Sequence, residues 1–222
     1  MQQIRVLIGK EFRLEWRQRY ALNGMLLYIV STVFVCFLSF SLRRNQLTPM
    51  VWNALFWIIL LFTAINAIAK SFVQERAGRL LYYYTLVSPQ KIILSKIVYN
   101  TLLMLVLAGL GFGIYTLVMG VPGEGMDMPL FVANLLLGAI GFAASLTLVA
   151  GIASKAENSA TLMAVLSFPV VLPLLLMLIR VSKNALDGLD RSVSLDEIGT
   201  LLAIDAIVLV LSVLLFPYLW RS

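Results

Sequence analysis

The sequence predicts an all-α integral membrane protein built as a bundle of six spanning helices. Hydrophobic residues make up 61% of the 222 residues and charged residues only 13%, whereas soluble domains carry about 25% charged residues. The apolar residues fall in six runs of about 20, the length that an α-helix needs to cross a bilayer. Most of the Lys and Arg lie in the polar intervals between these runs. We therefore expect one transmembrane permease domain over residues 1–222.

Residues 1–21 precede the first run and have the pattern of an amphipathic helix. Apolar and aromatic side chains recur at every fourth position from Ile4 to Tyr20, which places them on one helical face. A basic helix with aromatic residues on its apolar side is typical of the lipid interface. A simple positively charged anchor on the inner side is the equally weighted alternative. The candidate interfacial residues are Lys10, Phe12, Arg13, Trp16 and Arg17.

The six apolar runs account for most of the remaining chain. Each is about 30 Å long at 1.5 Å per residue, the thickness of the hydrocarbon core. They lie at approximately 22–42, 51–71, 97–119, 129–152, 160–180 and 200–219. With the N-terminus inside, 12 of the 17 Lys and Arg fall on the inner side and 5 on the outer side. This bias predicts that both termini are cytoplasmic.

The longest polar interval is residues 72–96, with the sequence FVQERAGRLLYYYTLVSPQKIILSK. Charged residues at 75–79 precede a Leu- and Tyr-rich segment, and Pro89 disfavours helix at Ser88. We interpret the interval as a short interfacial helix followed by a turn. Such a helix suits insertion into a groove of a soluble partner. Composition alone leaves open a solvated loop with snorkelling Tyr and Arg.

Small residues and prolines mark the interior of several runs. Small residues let helix backbones approach closely, and we favour packing within one chain over a subunit interface. The helix-packing candidates are Gly109, Gly113, Gly138 and Gly141. Pro169 and Pro173 each remove a backbone hydrogen bond and are candidate kinks.

Asp205 is the acidic residue within the last run. We expect it to be solvated near the outer end of its helix, or paired with Arg180 or Lys183, because an unpaired charge in the hydrocarbon is costly. The alternative is a contact with substrate. No run carries a set of charges near its middle, which argues against an ion- or proton-coupled carrier.

Several chemistries have no motif in this sequence. It contains no Walker A pattern, no GxGxxG, no paired Cys motif and no His. We therefore expect no ATPase site of its own, and the absence of His closes off the common metal sites. Because the excess of positive charge lies in loops beside apolar runs, we attribute it to membrane orientation rather than to nucleic-acid binding.

Three segments carry a resemblance that spans nearly the whole chain: KEFRLEWRQRYALNGMLLY, FVQERAGRLLYYYTLVSP and FPVVLPLLL. They resemble the permease subunits of the second class of ABC exporters, and within that class the CcmB-type heme exporter family of cytochrome c maturation. That family's first cytoplasmic loop carries an acidic-basic pair, a Gly-x-Leu and a Ser-Pro ahead of a Lys. The matching positions are Glu75, Arg76, Gly78, Arg79, Leu80, Ser88, Pro89 and Lys96. Leu81 departs from the acidic residue usual after the Gly-x-Leu.

The resemblance implies a type V exporter-like bundle whose first inner loop docks on a soluble ABC ATPase and transmits its motion. It further implies two copies of this chain in a bacterial inner membrane, together with a heme-handling membrane subunit and a heme chaperone. ATP would be bound by the ATPase. Because this chain has no His, the commonest heme ligand, we expect heme on the partner subunit. The alternatives are an exporter of a lipid-linked or drug-like substrate, and a scaffold that needs no nucleotide.

Overall fold

The computed structural model describes residues 2–17, 20–41, 47–73, 87–122, 125–154, 156 and 159–221. These residues form helices without any strand, and six of the helices are long and apolar enough to cross a membrane. The helices are α1 (Gln2–Arg17), α2 (Tyr20–Ser41), α3 (Pro49–Val73), α4 (Pro89–Met119), α5 (Met128–Ala153), α6 (Ser159–Leu186) and α7 (Leu195–Arg221), with a 3-10 turn at Arg191–Ser194. The predicted fold class is therefore confirmed.

Helix α4 begins well before the span predicted at 97–119. Pro89 takes one of its first helical positions, where a missing N–H costs nothing because that group has no intrahelical acceptor. Ser88 before it is extended, with φ −65° and ψ 141°, as the proline requires. The 31 residues of α4 give a length of about 46 Å. The last part of the predicted loop, residues 89–96, is thus the start of a continuous helix.

Helix α5 lies at the centre of the bundle and packs against α3, α4, α6 and α7. It is the most buried of the spanning helices, and α2 is the least buried. The difference follows from sequence, because α5 is rich in Gly and Ala, which permit close approach on several faces.

Both predicted kink residues lie inside α6, which remains helical from Ser159 to Leu186. Because proline has no N–H, the carbonyl groups four residues earlier lose their usual donor at Pro169 and Pro173. Whether α6 bends at these positions stays a prediction. Pro217 interrupts the hydrogen bonding of α7 in the same way.

Candidate functional site at the α1–α4 junction

The N-terminal helix α1 packs against the first turns of α4. Three contacts define the register. Lys91 Nζ donates to Gln3 Oε1 at 2.8 Å, Lys96 Nζ lies 3.7 Å from Glu11 Oε1, and the rings of Phe12 and Tyr99 meet edge to face at 5.4 Å. The contacts advance in the same direction along both helices. The two helices therefore run in the same sense along this contact.

The ion pair between Glu11 and Lys96 is buried within this junction. The side chain of Lys96 is 2% exposed and that of Glu11 is 10% exposed. Lys10 Nζ lies 3.2 Å from the same Glu11 Oε1, so two ammonium groups share one carboxylate oxygen. Burying a charge is costly unless an opposite charge accompanies it. The position of Lys96 therefore depends on α1.

The opposite side of α1 is open. Val6 is 68% exposed, and Arg5 and Arg13 are exposed as well. Phe12, whose ring contacts Tyr99, is still 48% exposed. The structure thus leaves a basic and apolar surface on α1 beyond its contact with α4. This surface is compatible with the predicted lipid interface. The side chains of Trp16 and Arg17 lie outside the described residues.

The predicted ATPase-docking residues fall into two groups. Glu75, Arg76, Gly78, Arg79 and Leu80 lie outside the described residues, so their docking role stays a prediction. Within the described part, Ser88 is exposed and Pro89 is half-buried at the start of α4. Lys96, which the motif places with them, is buried against α1 instead. Sequence reasoning missed the contacts that Gln3, Glu11 and Tyr99 make between α1 and α4, because no local pattern predicts contacts between segments so far apart in the chain.

One turn beyond Lys96, α4 is joined to the central helix by a buried hydrogen bond. Asn100 Nδ2 donates to Thr147 Oγ1 at 2.8 Å, and both residues are fully buried. The Thr147 hydroxyl donates in turn to the Ala143 carbonyl at 2.5 Å. The junction therefore links α1 to α4 and, through Asn100, α4 to α5.

A second buried polar network ties α3 and α5 to the end of α6. Ser182 Oγ accepts from Trp57 Nε1 and from Asn134 Nδ2, each at 2.8 Å. Asn134 Nδ2 also lies 2.8 Å from the Leu178 carbonyl, and Asn53 Nδ2 donates to the Ile179 carbonyl at 2.9 Å. These bonds cross between helices and hold this half of the bundle together. Sequence reasoning assigned these residues no role.

The four predicted packing glycines divide into two pairs. A Cβ on Gly138 would lie 2.8 Å from the Trp57 ring, and one on Gly141 would lie 2.5 Å from Asp205 Oδ1. Both glycines therefore allow other helices to approach α5 closely. Gly109 and Gly113 are exposed, and no described atom lies within 4 Å of a Cβ placed there. The expectation of packing within the chain is corrected for these two, because their face of α4 points away from the bundle.

The expected environment of Asp205 is also corrected. The residue is 7% exposed, and its Oδ1 has no hydrogen-bond partner among the described residues. It lies against Gly141, not in solvent, and no ion pair with Arg180 or Lys183 is found in the described part of the chain. The cause is the orientation of α7, which directs this carboxyl toward the space that the glycine leaves.

At the other end of the bundle, Asp127 joins two loops. Asp127 Oδ1 caps α5 by accepting from the Leu130 N–H at 3.2 Å. Arg191 donates to both carboxylate oxygens, from Nε at 2.6 Å and Nη2 at 3.0 Å. The hydrogen bond from Arg191, together with that from the Leu130 backbone, lowers the pKa of the Asp127 carboxyl. Gly188 has φ +63° and packs on the Gly125 carbonyl, so a side chain there would disrupt the same junction.

Comparison with known protein families identifies a relationship over nearly the full length. The family model described as CcmB protein matches residues 2–219. A search of curated proteins gave no match. The matched range includes the whole α1–α4 junction and both buried networks. Within the described residues, no group of three or more His, Cys, Asp or Glu could hold a metal ion.

Proposed function

Since the chain belongs to the CcmB family of heme exporter permease subunits of the cytochrome c maturation system, we propose that it couples ATP hydrolysis in a partner ATPase to heme delivery and to release of the heme-loaded chaperone. The family's place in an ABC exporter system implies an ATPase partner. Permease subunits of this family are not themselves catalytic enzymes. We therefore assign ATP hydrolysis to the partner ATPase and the transmission of its motion to this chain.

The α1–α4 junction is the observation that carries the proposal. The predicted docking loop leads directly into α4 at Pro89, so a displacement of the loop acts on the end of a long helix. Lys96 connects that helix to Glu11 of α1, and Asn100 connects it to Thr147 of the central helix. A displacement of the docking loop would therefore reach α4, α1 and α5 within about three turns of α4.

The residues divide into those that meet the ATPase and those that pass on its motion. Glu75, Arg76, Gly78, Arg79 and Leu80 are the proposed contacts with the ATPase. Ser88 and Pro89 set the direction in which the loop enters α4. Lys96 passes the displacement to α1. ATP is held by the partner ATPase.

The assembly proposed around this chain follows from the same coupling. Two copies are expected because ABC ATPases act as nucleotide-bound dimers. Heme is held by a partner membrane subunit and passed to a chaperone. The excess of Lys and Arg on one side of the spans supports an inner-membrane topology with both termini in the cytoplasm.

Export of a lipid-linked or drug-like substrate is the alternative, and it requires a large cavity. Two apolar cavities between described helices hold about 10 Å³ each. Ligand pockets are typically about 300–1,000 Å³. Neither of these two cavities could hold a lipid or a drug, so the coupling function is the better supported of the two.

The test is substitution of the proposed docking residues in the reconstituted complex. Glu75→Ala, Gly78→Ala and Leu80→Ala are each expected to separate ATP hydrolysis from chaperone release. Asp190→Ala, an exposed change in the loop after α6, serves as the matched control and is expected to retain coupling. Docking variants in which release keeps its wild-type dependence on ATP would contradict the proposal.

A further inference from the structure

The ion pair at the α1–α4 junction links α1, which lies outside the docking loop, to the helix that follows the loop. We propose that Lys96 is a positioning residue that acts through Glu11 to make α1 move with α4, so that α2 is the spanning helix that follows the ATPase. This inference rests on the proposed function. It adds the element that moves and the contact that moves it.

Lys96 itself is shielded from a docked protein. Its side chain is 2% exposed, while Ser88, Gln90 and Lys91 nearer the start of α4 are exposed. A soluble partner that reached this end of α4 would meet those three residues first. Since Glu11 of α1 contacts Lys96, a role of this residue in coupling can pass through α1.

The charges around Lys96 make its link to α1 specific. The partner carboxylate, Glu11, lies on α1 and also contacts Lys10. The other helices that pack on α4 bring no acidic residue near this level: α2 and α5 carry no charged residue, α3 carries only Lys70, and α7 has no charged residue between 206 and 220. A displacement of Lys96 that left Glu11 behind would break a buried ion pair, which is strongly unfavourable.

The connection from α1 to α2 is short. Helix α1 ends at Arg17 and α2 begins at Tyr20, so two residues separate them. A chain of two residues spans at most about 7 Å beyond the helix ends. The start of α2 therefore cannot remain in place if α1 moves by more than a few ångströms.

The packing of α2 is the second, independent observation. It is the least buried of the six spanning helices, so the bundle resists its movement least. The void between Ile29 and Val33 of α2, Phe56 of α3 and Tyr115 of α4 is only about 10 Å³, barely room for one water molecule, so the inner face of α2 is closely packed. Its other faces are open. Movement of α2 therefore displaces fewer neighbouring side chains than movement of any other spanning helix.

The experiment measures the position of α2 in the complete complex with its ATPase. In a Cys36→Ser background, spin labels are placed at Val35 of α2 and Val132 of α5, both exposed, and labelled copies are diluted with unlabelled ones. Pulsed electron paramagnetic resonance distances are compared with and without a non-hydrolysable ATP analogue. We expect the analogue to shift the distance in this background and in Lys96→Arg, and not in Lys96→Met or Glu11→Gln.

The charge-exchanged variant Glu11→Lys/Lys96→Glu distinguishes positioning from mere stability. If the Glu11–Lys96 ion pair makes α1 move with α4, exchanging the two charges restores the nucleotide-dependent shift in distance that the single substitutions abolish. A shift that persists in Lys96→Met, or that is missing in the Cys36→Ser background with the ATPase bound, would overturn the inference while leaving the proposed function intact. Failure of the ATPase to bind the chain at all would overturn both.

Discussion

The Lys96 ammonium lies 3.7 Å from the Glu11 carboxylate, and both side chains are buried. The pair joins the N-terminal helix to the helix that follows the docking loop. Lys96, which the sequence places among the ATPase-coupling residues, is therefore buried beside α1. The pair also places the two elements assigned to the inner side of the membrane in direct contact.

Removing one partner of this pair is expected to destabilise the protein. Lys96→Met should lower the free energy of unfolding by about 1–3 kcal/mol, because it removes one of the two ammonium groups beside the buried Glu11 carboxylate. Lys91→Ala removes an exposed Lys on the same helix and should cost under about 1 kcal/mol. Thermal unfolding in detergent measures both. Equal effects of the two changes would show that burial of Lys96 does not matter.

Substitution by alanine is expected to destabilise the protein at Gly138 and Gly141 and to stabilise it slightly at Gly109 and Gly113. Gly138→Ala and Gly141→Ala place a methyl group 2.8 Å and 2.5 Å from neighbouring atoms, and overpacking of this kind costs about 1–3 kcal/mol. Gly109→Ala and Gly113→Ala meet nothing within 4 Å among the described residues, and alanine favours helix by up to about 1 kcal/mol. Unfolding temperatures of the four variants give the comparison. Destabilisation by Gly109→Ala in the isolated chain would contradict the assigned faces of α4.

Ser182 is expected to matter more than an ordinary buried serine. Ser182→Ala removes the acceptor of both Trp57 Nε1 and Asn134 Nδ2, and a buried donor left without a partner costs about 1–3 kcal/mol. The matched control is Ser212→Ala. The Ser212 hydroxyl is also buried, but it donates only to the Val208 carbonyl of its own helix. Stability measurements that rank the two changes equally would argue against the network.

The contact between Asp127 and Arg191 is expected to weaken in acid. The Arg191 hydrogen bond lowers the pKa of Asp127 in the folded state, so the stabilisation is complete above the unfolded pKa of about 3.9 and is lost as the pH falls through the lower, folded pKa. Asp127→Asn keeps a good helix cap but should remove this part of the pH dependence. Unfolding temperatures between pH 3 and pH 7 test it. An unchanged acid profile in Asp127→Asn would exclude the ion pair as its source.

Local patterns predicted the six spanning helices because hydropathy and length are properties of contiguous sequence. The start of α4 at Pro89 was not predicted, since Lys91 and Lys96 interrupt the apolar run even though Lys96 is buried. Its burial depends on Glu11, far away in the chain. Asp205 was misplaced for a related reason: its fit against Gly141 depends on how α5 and α7 pack, which no single helix encodes.

The most direct test of the central claim is photocrosslinking from Leu80 in the assembled complex. A photoreactive amino acid at this position is expected to crosslink to the ATPase, with a yield that changes when ATP binds. Placed instead at Leu189, in the exposed loop after α6, it should give no crosslink to the ATPase. If the Leu80 probe never reaches the ATPase while the complex is intact, the docking loop does not receive its motion and the account is contradicted.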